Sequence, residues 1–372
     1  MRKKAVVAGN ICLDITPGFN GQKAGKIQDV LKPGSLVNVG GADIHTGGAA
    51  ANTGLAMKIL GADVTIVAKT GDDEFGGMIR SITDRYDASS GLIRSSGDST
   101  SYSVVLAVPG IDRIFLHNTG ANDSLGADDI PDEVLADAAL MHFGYPPLMK
   151  RMYENGGEEL VKLMQKAKAA GAATSLDMAM VDPGTEAGRL DWADILSCTM
   201  PYVDIFVPSV EEIMFMLDRG EYDRLRAENP DKDLTEVIDI EEHVRPLAGK
   251  CMDMGAKIVL IKCGAPGMYY QTAGADELAT ISPRLGMDIT AWEDRQGFER
   301  SFSPSKIVSG TGAGDTSIAA FLTSMLSGKS VEECVKYAAA TGACCVEACD
   351  ALSGLMSFEE IDDRISSGWN RN

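Results

Sequence analysis

Short, mostly apolar runs alternate along the chain with longer segments whose apolar residues recur at helical spacing. Such runs are typical of strands that a parallel sheet buries on both faces. We predict buried strands at residues 5–8, 64–68, 140–143, 173–176, 205–207 and 258–261. A helix is predicted over residues 158–170, where positions 160, 163, 164 and 167 share an apolar face and Gly171 can end it. The alternation predicts an α/β fold with a doubly wound, mostly parallel sheet flanked by helices. In such sheets ligands bind beyond the carboxyl ends of the strands.

Two regions break this alternation. Residues 15–45 are rich in glycine and contain short strand-like pieces such as residues 36–39. Residues 99–117 predict a hairpin, because apolar residues occupy every second position from 102 to 108 and Pro109-Gly110 supplies a turn. We predict that both regions form a small accessory sheet within a single domain of residues 1–372; an extra edge of the main sheet is the alternative. A third stretch, about 286–300, is polar and predicts a surface insertion.

Composition narrows the possible partners. The 372 residues include 34 lysines and arginines against 54 acidic residues, which gives a formal net charge of −20. An acidic surface repels nucleic acid and anionic membranes, so we expect neither as a partner. No apolar stretch reaches the length of a membrane span, no N-terminal signal pattern is visible, and the eight cysteines lack paired spacing. We therefore predict a location in the reducing cytoplasm.

The strongest chemical motif is the segment 309–315, Ser-Gly-Thr-Gly-Ala-Gly-Asp, which precedes a predicted amphipathic helix. Small residues before a helix let backbone N–H groups approach a phosphate closely, and the helix dipole favours the negative charge. Asp315 stands where that helix begins. An acidic residue there can act in chemistry, or it can simply cap the helix.

A second motif covers residues 46–52, Thr-Gly-Gly-Ala-Ala-Ala-Asn, and opens a helix that runs to about residue 60. Paired glycines before a helix suit a ligand that contacts backbone, although a tight turn before a capped helix would use them as well. Asn52 lies one turn into the helix and can both donate and accept hydrogen bonds. The segment continues to Gly71-Asp-Asp-Glu-Phe-Gly76.

Together these segments resemble the signatures of the PfkB (ribokinase-like) carbohydrate kinases. The block from Gly47 to Gly76 is similar to the first signature of that family, and Thr311 to Asp315 with its helix is similar to the second. Residues 9, 10 and 14 (Gly, Asn, Asp) resemble its opening strand and substrate-binding aspartate. Residues 262–267, Lys-Cys-Gly-Ala-Pro-Gly, resemble its nucleotide loop. Order and spacing agree from about residue 5 to 355.

The resemblance implies transfer of the γ-phosphate of ATP to a hydroxyl of a sugar or sugar acid. Asp315 then corresponds to the catalytic base, and the implied anion hole is Gly312, Ala313 and Gly314. The implied substrate contacts are Asp14, Gly47, Gly48 and Asn52. The implied nucleotide contacts are Ser209, Lys262, Gly264, Gly267 and Thr311. Glu212 corresponds to an acidic residue associated with magnesium. Phosphoryl transfer needs positioning and charge stabilisation, which these groups can supply.

The resemblance also implies that the two irregular regions, 15–45 and 99–117, form a β lid that closes over the sugar and mediates a homodimer. ATP and Mg²⁺ are the implied cofactors. Ser309 stands where the family has an aspartate that binds a monovalent cation, so we expect little dependence on potassium. Ser209 stands where an asparagine is usual. These two departures motivate an alternative function, a catalytically impaired sugar-binding regulator, against which the retained Asp315 and glycine turn argue.

The sequence leaves the acceptor open among fructose, ribose and a keto-deoxy sugar acid. A nucleoside kinase of the same fold is a further alternative, which would need an apolar or aromatic slot for a base. Asp177 follows a predicted strand and either faces the phosphates or caps a turn. Arg113 and His117 either touch the substrate or form a solvated strand edge.

Overall fold

The computed structural model describes residues 3–19, 25–111 and 113–372. Residues 20–24 and 112 of the predicted lid regions lie outside the described residues. Within these ranges the strands are β1 (Lys4–Gly9), β2 (Cys12–Pro17), β3 (Ala42–Gly47), β4 (Asp63–Gly71), β5 (Leu92–Ser95), β6 (Tyr102–Leu106), β7 (Ile114–Asn118), β8 (Ala138–Gly144), β9 (Ala173–Asp177), β10 (Ile205–Phe206), β11 (Ile258–Lys262), β12 (Gly267–Thr272) and β13 (Gln296–Arg300).

The α-helices are α1 (Ile27–Val30), α2 (Ala49–Ile59), α3 (Glu74–Asp84), α4 (Asp132–Ala136), α5 (Lys150–Tyr153), α6 (Glu158–Ala169), α7 (Trp192–Thr199), α8 (Val210–Leu217), α9 (Arg219–Glu228), α10 (Arg245–Asp253), α11 (Ala275–Leu278), α12 (Ala313–Leu326), α13 (Val331–Cys345) and α14 (Phe358–Ser366). The predicted helix at 158–170 is confirmed as α6. In the described parts of the chain, no helix has the length and apolar character needed to cross a membrane.

Nine strands form the main sheet in the order β13-β12-β11-β10-β9-β8-β1-β4-β5. Neighbouring strands from β11 to β5 run parallel, whereas β12 and β13 are antiparallel to their neighbours. All six apolar runs predicted as buried strands lie in this sheet, which confirms the predicted doubly wound architecture.

Helices cover both faces of the main sheet. Along β1, Ala5 and Val7 contribute to a core that includes residues of α2, α12 and α13. The alternate residues Val6 and Ala8 contribute to a second core that includes residues of α6, α7, α8 and α10. Since successive strand residues point to opposite faces, a strand covered on both faces favours apolar side chains at successive positions, which explains the mostly apolar runs.

The prediction of a surface insertion at 286–300 is wrong for the second half of that stretch. Gln296–Arg300 forms β13, which pairs antiparallel with β12 and places Phe298 opposite Tyr269. Trp292, just before it, is 1% exposed and packs edge-on against Phe321. An edge strand has one open side and tolerates polar residues, so its sequence resembles a loop.

The remaining strands form a small sheet in the order β3-β2-β6-β7. The predicted hairpin is confirmed by β6 and β7, which pair antiparallel. The predicted strand at 36–39 is wrong, because the strand of that region begins at Ala42 and Leu36 is 88% exposed. Residues 42–47 pair with the whole of β2, and this pairing, rather than local apolar character, determines which residues form the strand.

Two rows of side chains run across the small sheet, one on each face. Directly paired residues share a face, and the next pair along faces the other way. One row is polar and consists of His45, Asp14, Ser103 and His117. The neighbouring row is apolar and consists of Ile44, Ile15, Val104 and Leu116.

Candidate active site

The site lies where the carboxyl ends of the central strands meet the first turns of α2 and α12. Asp315 lies in the first turn of α12, and Asn52 lies near the start of α2. Although 263 positions separate them in sequence, Asn52 Nδ2 donates a hydrogen bond of 2.9 Å to Asp315 Oδ2. The two motifs found in the sequence therefore converge on one carboxylate.

The Asp315 carboxylate is only 2% exposed. Besides Asn52, the hydroxyl of Tyr145 donates to it, at 2.9 Å from Oδ1 and 3.0 Å from Oδ2. Burial raises the pKa of Asp315 above its ordinary value, while the hydrogen bond from Asn52, the charge of Lys262 and the hydrogen bond from Tyr145 act in the opposite direction. The carboxylate is thus a better proton acceptor than an exposed aspartate.

The turn before α12 admits only glycine at position 312. Gly312 has φ +76°, and a Cβ built on it would lie 2.3 Å from Cβ of Ala351. This backbone conformation disfavours L side chains, and the contact leaves no room for one. The first N–H groups of α12 have no acceptor within their own helix, although that of Ala313 donates to the carbonyl of Gly310 at 3.3 Å. The turn offers its other donors and the positive end of the helix dipole to an anion.

A lysine ammonium lies beside the same turn. A Cβ built on Gly314 would lie 3.7 Å from Lys262 Nζ, which itself pairs with Asp177 Oδ1 at 2.7 Å. Burial alone would lower the pKa of Lys262, but the carboxylates of Asp177, Glu212 and Asp315 outweigh it and raise this pKa above its usual value. Lys262 therefore keeps its charge where a phosphate would meet the N-terminus of α12.

Asp177, for which the sequence left two interpretations, faces Lys262. It ends β9, is 1% exposed, and its Oδ2 has no hydrogen-bond partner among the described residues. A buried carboxylate oxygen without a partner is unusual and indicates a site that a ligand or water completes.

Ser209 and Glu212 hold each other at the start of α8. Ser209 Oγ accepts from the Glu212 backbone N–H at 3.3 Å, and Glu212 Oε2 accepts from the Ser209 N–H at 2.6 Å. Ser209 also bridges to Lys262 in a parallel β-bridge. This reciprocal capping box places the Glu212 carboxylate at the end of β10. The serine therefore caps the helix in the position where the resemblance leads one to expect asparagine.

The two glycines predicted for the nucleotide loop lie in the turn between β11 and β12. The N–H of Gly267 donates to the carbonyl of Gly264 at 3.2 Å, directly beyond Lys262 in the chain. Gly264 packs against Thr235, since a Cβ there would lie 3.0 Å from Thr235 Cγ2. The turn thus stands at the same end of the sheet as Lys262.

On the other side of Asp315, Asp14 stands against the first glycine motif. A Cβ built on Gly47 would lie 2.2 Å from Asp14 Oδ2, so a side chain at this position would displace the Asp14 carboxylate. Gly48 follows as the residue before α2. Cys12 Sγ donates to Asp14 Oδ1 at 3.3 Å, and burial raises the pKa of Asp14.

A cavity of about 210 Å³ opens between the polar row of the small sheet and the loop before α12. Its polar lining includes Asp14, Thr16, Asp43, His45, Asn52, Arg113, Ser309, Thr311 and Asp350. Hydrogen-bonding groups of this density suit a small ligand that carries several hydroxyl groups.

Arg113 joins the small sheet to the loop before α12. Its Nη1 donates to Ser309 Oγ at 3.1 Å and also to Thr311 Oγ1. His117 remains on the polar row, where its Nδ1 lies 3.0 Å from Ser103 Oγ, and burial lowers its pKa. Arg113 is therefore a component of the site rather than part of a solvated edge.

Tyr145 is the site residue that the sequence interpretation missed. It follows β8 directly and adopts the left-handed backbone conformation, with φ 67° and ψ 43°. That conformation costs a non-glycine residue about 1–2 kcal/mol. The available signal was a tyrosine followed by two prolines immediately after a buried strand, at the edge where ligands bind.

Comparison with known proteins shows which family the chain resembles in sequence and in fold. The sequence profile described as pfkB family carbohydrate kinase matches residues 12–355. Fructokinase-1 of Zea mays is 26% identical over 373 aligned residues, which cover 97% of each protein. The structure of Arabidopsis thaliana ribokinase complexed with ribose and ATP superposes with a TM-score of 0.69 at 20% identity, over 98% of each chain.

A putative ribokinase II from E. coli, in complex with ATP and Mg²⁺, superposes with a TM-score of 0.70 at 21% identity. The superposition covers 98% of this chain and 99% of the E. coli protein. Both superpositions show a ribokinase-like fold.

Proposed function

Because the chain belongs to the pfkB family of carbohydrate kinases, we propose that it transfers the γ-phosphate of ATP to a hydroxyl of a sugar or sugar acid. One observation carries the proposal: the buried Asp315 carboxylate lies at the head of α12, next to a glycine turn and the ammonium of Lys262. The fructokinase and ribokinase relatives, two of which bind ATP or ribose in their structures, support the same reaction.

In this mechanism Asp315 accepts the proton of the attacking hydroxyl. The N–H groups of Gly312, Ala313 and Gly314 and the ammonium of Lys262 stabilise the charge on the transferring phosphoryl group. Asp14, Gly47, Gly48 and Asn52 hold the sugar. Ser209, Thr311 and the turn with Gly264 and Gly267 hold the nucleotide.

Magnesium, which ATP brings with it, fits the carboxylate at the start of α8. One oxygen of Glu212 serves the capping box, and the described residues offer no hydrogen-bond donor to the other. Carboxylate oxygens are the ligands that Mg²⁺ prefers. When bound, the ion would neutralise charge on the phosphates. Glu212 is the residue that would hold it.

Within the sugar class we favour a neutral acceptor. Three aspartates, Asp14, Asp43 and Asp350, line the cavity, and among the described residues Arg113 contributes its one guanidinium. The described lining contains no phenylalanine, tyrosine or tryptophan on which a nucleobase could stack. The aspartates would repel the carboxylate of a sugar acid, and a nucleoside would find no aromatic side chain on which its base could stack.

An acceptor screen tests the proposed function. The purified protein is incubated with MgATP and fructose, ribose, a keto-deoxy sugar acid or adenosine, and ADP release is measured for each. We expect turnover with a neutral sugar and a lower kcat/KM for the acid and the nucleoside. Fastest turnover of adenosine would establish the nucleoside kinase alternative. Sugar binding without any turnover would instead establish a regulator.

We also propose that potassium is dispensable. Ser309 contributes a hydroxyl where a carboxylate would serve a cation, and Arg113 already places a positive charge on that hydroxyl. The initial rate should stay flat as potassium replaces a large organic cation at constant ionic strength and saturating MgATP. Saturable activation by potassium would contradict this proposal. Ser309→Asp serves as the comparison variant, in which any cation response should increase.

We propose one kinase domain over residues 1–372, with the small sheet as a lid that forms a homodimer. The support is the apolar row on the lid, of which Ile44 is 37% and Leu116 is 54% exposed. An exposed apolar row is stabilised when a partner buries it, and in a two-fold dimer the same row of a second copy can do so.

The eight free thiols fit the predicted cytoplasmic location.

Ile44→Glu should shift the protein from dimer to monomer in light scattering, because it buries a charge in the paired apolar row. Ile59→Glu is the matched control, since Ile59 at the end of α2 is also 37% exposed but lies off the lid. A native monomer at micromolar concentration would reject the proposed dimer.

A further inference from the structure

We infer that Tyr145 is a positioning residue that orients the Asp315 carboxylate through a hydrogen bond from its hydroxyl. The inference rests on the proposed role of Asp315 as the base. The tyrosine hydroxyl lies 2.9 Å from Oδ1 and 3.0 Å from Oδ2, so it spans both oxygens of the carboxylate. Asn52 donates to Oδ2 alone.

The distribution of donors determines which oxygen can act. Oδ2 accepts from both Asn52 and Tyr145, whereas Oδ1 accepts from Tyr145 only, among the described side chains. A carboxylate oxygen has two lone pairs, so Oδ1 retains capacity for the proton of a sugar hydroxyl. Two fixed donors also stop rotation of the carboxylate plane, which keeps Oδ1 in one place.

The backbone at Tyr145 supports a role beyond packing. Its left-handed φ of 67° is a conformation that asparagine or glycine would adopt more readily. The conformation is held by the chain on both sides, because the Tyr145 N–H donates to the carbonyl of Asp177 at 3.3 Å and Pro146 follows. A strained residue whose side chain meets a reactive group is a candidate for function.

The ionisable groups that act on Asp315 come from several of the elements around it. They are Tyr145 after β8, Asp177 of β9, Glu212 of α8, Lys262 of β11, Cys12 of β2 and Cys345 of α13. Of these, Lys262 and Tyr145 favour the ionised carboxylate, while the carboxylates oppose it. Removing the tyrosine hydroxyl therefore raises the pKa of Asp315.

The test compares Tyr145→Phe with the native enzyme. At neutral pH we expect kcat to fall about 10- to 100-fold, because the base loses its fixed orientation. The acidic limb of the kcat/KM pH profile should move about one pH unit upward. The carboxyl ¹³C resonance of Asp315 should titrate with the same upward shift without substrate.

Two further variants make the result specific. Tyr337→Phe is the matched control, since its hydroxyl donates to Asp362 at 2.7 Å in a remote pair, and it should change neither kcat nor the pH profile. Replacing Tyr145 with 3,5-difluorotyrosine keeps the ring and makes the hydroxyl a stronger donor. This replacement should move the acidic limb of the kcat/KM pH profile to lower pH. It therefore tests the inference with a shift of opposite sign, even if Tyr145→Phe does not fold.

The outcomes separate this inference from the proposed function. If Asp315→Asn abolishes turnover but Tyr145→Phe leaves kcat, the pH profile and the resonance unchanged, Tyr145 has no positioning role. If Asp315→Asn remains active, the assignment of the base itself fails. In the Asp315→Asn background, Tyr145→Phe should cause no further loss of kcat, because Tyr145 acts only through the Asp315 carboxylate, which that variant already lacks.

Discussion

Asp315→Asn should lower kcat by about 10³-fold, within the range that a positioned general base contributes. The amide is nearly isosteric, so the hydrogen-bonded cluster with Asn52 and Tyr145 can rearrange without a cavity. The amide oxygen cannot accept the proton of the sugar hydroxyl at neutral pH. Dissociation constants for MgATP and the sugar, measured by calorimetry, should change little, because the loss concerns the transition state.

Asp194→Asn is the control for this experiment. Asp194 also lies in the first turn of a helix, α7, but its side chain is exposed. The two variants remove the same charge from the same helical position, so a general effect on helix stability would appear in both. Turnover of Asp315→Asn close to that of Asp194→Asn would remove Asp315 from the mechanism.

Gly312→Ala should lower kcat by about 10²–10³-fold, the usual effect of losing one anion-hole donor. The added Cβ would lie 2.3 Å from Cβ of Ala351, so the turn must shift and carry its N–H groups away from the phosphoryl group. Single-turnover kinetics at saturating MgATP should show the loss in the chemical step.

Gly328→Ala provides a close control, because Gly328 has φ +80° at the other end of α12 and a Cβ there meets nothing within 4 Å. Both variants carry the backbone cost of about 1–2 kcal/mol for a left-handed alanine. Only Gly312→Ala moves the turn. Equal activity of the two variants would show that the turn does not bind the transferring group.

The central fold could be predicted because central strands of a parallel sheet are mostly apolar on both faces. Ala5 and Val7 face one core and Val6 and Ala8 face the other, so the run has no polar break. β13 was missed for the converse reason, since an edge strand buries one face only. The false strand at 36–39 shows that local apolar character is insufficient when no partner strand pairs with it.

The site residues that belong to short sequence motifs could be predicted. The two motifs lie at the starts of α2 and α12, where a local sequence pattern reveals them: one contains Gly47 and Asn52, and the other is the turn at 309–315. In the structure both motifs meet at the Asp315 carboxylate. Tyr145 was not predictable, because its role depends on one left-handed residue and on a contact across 170 positions. Arg113 reaches Ser309 across 196 positions, which no local pattern records.

The bonds from Arg113 to Ser309 and Thr311 have a kinetic consequence for the small sheet. To move away from α12, the sheet must exchange two hydroxyl acceptors of a guanidinium for water. Hydrogen bonds to a charged group contribute about 1.5–3 kcal/mol each, so these two bonds stabilise the contact between the small sheet and the loop before α12 without any sugar. If the small sheet acts as the proposed lid, we predict that a sugar enters only during brief openings, and that its association rate reflects the fraction of time that the entrance is open rather than diffusion alone.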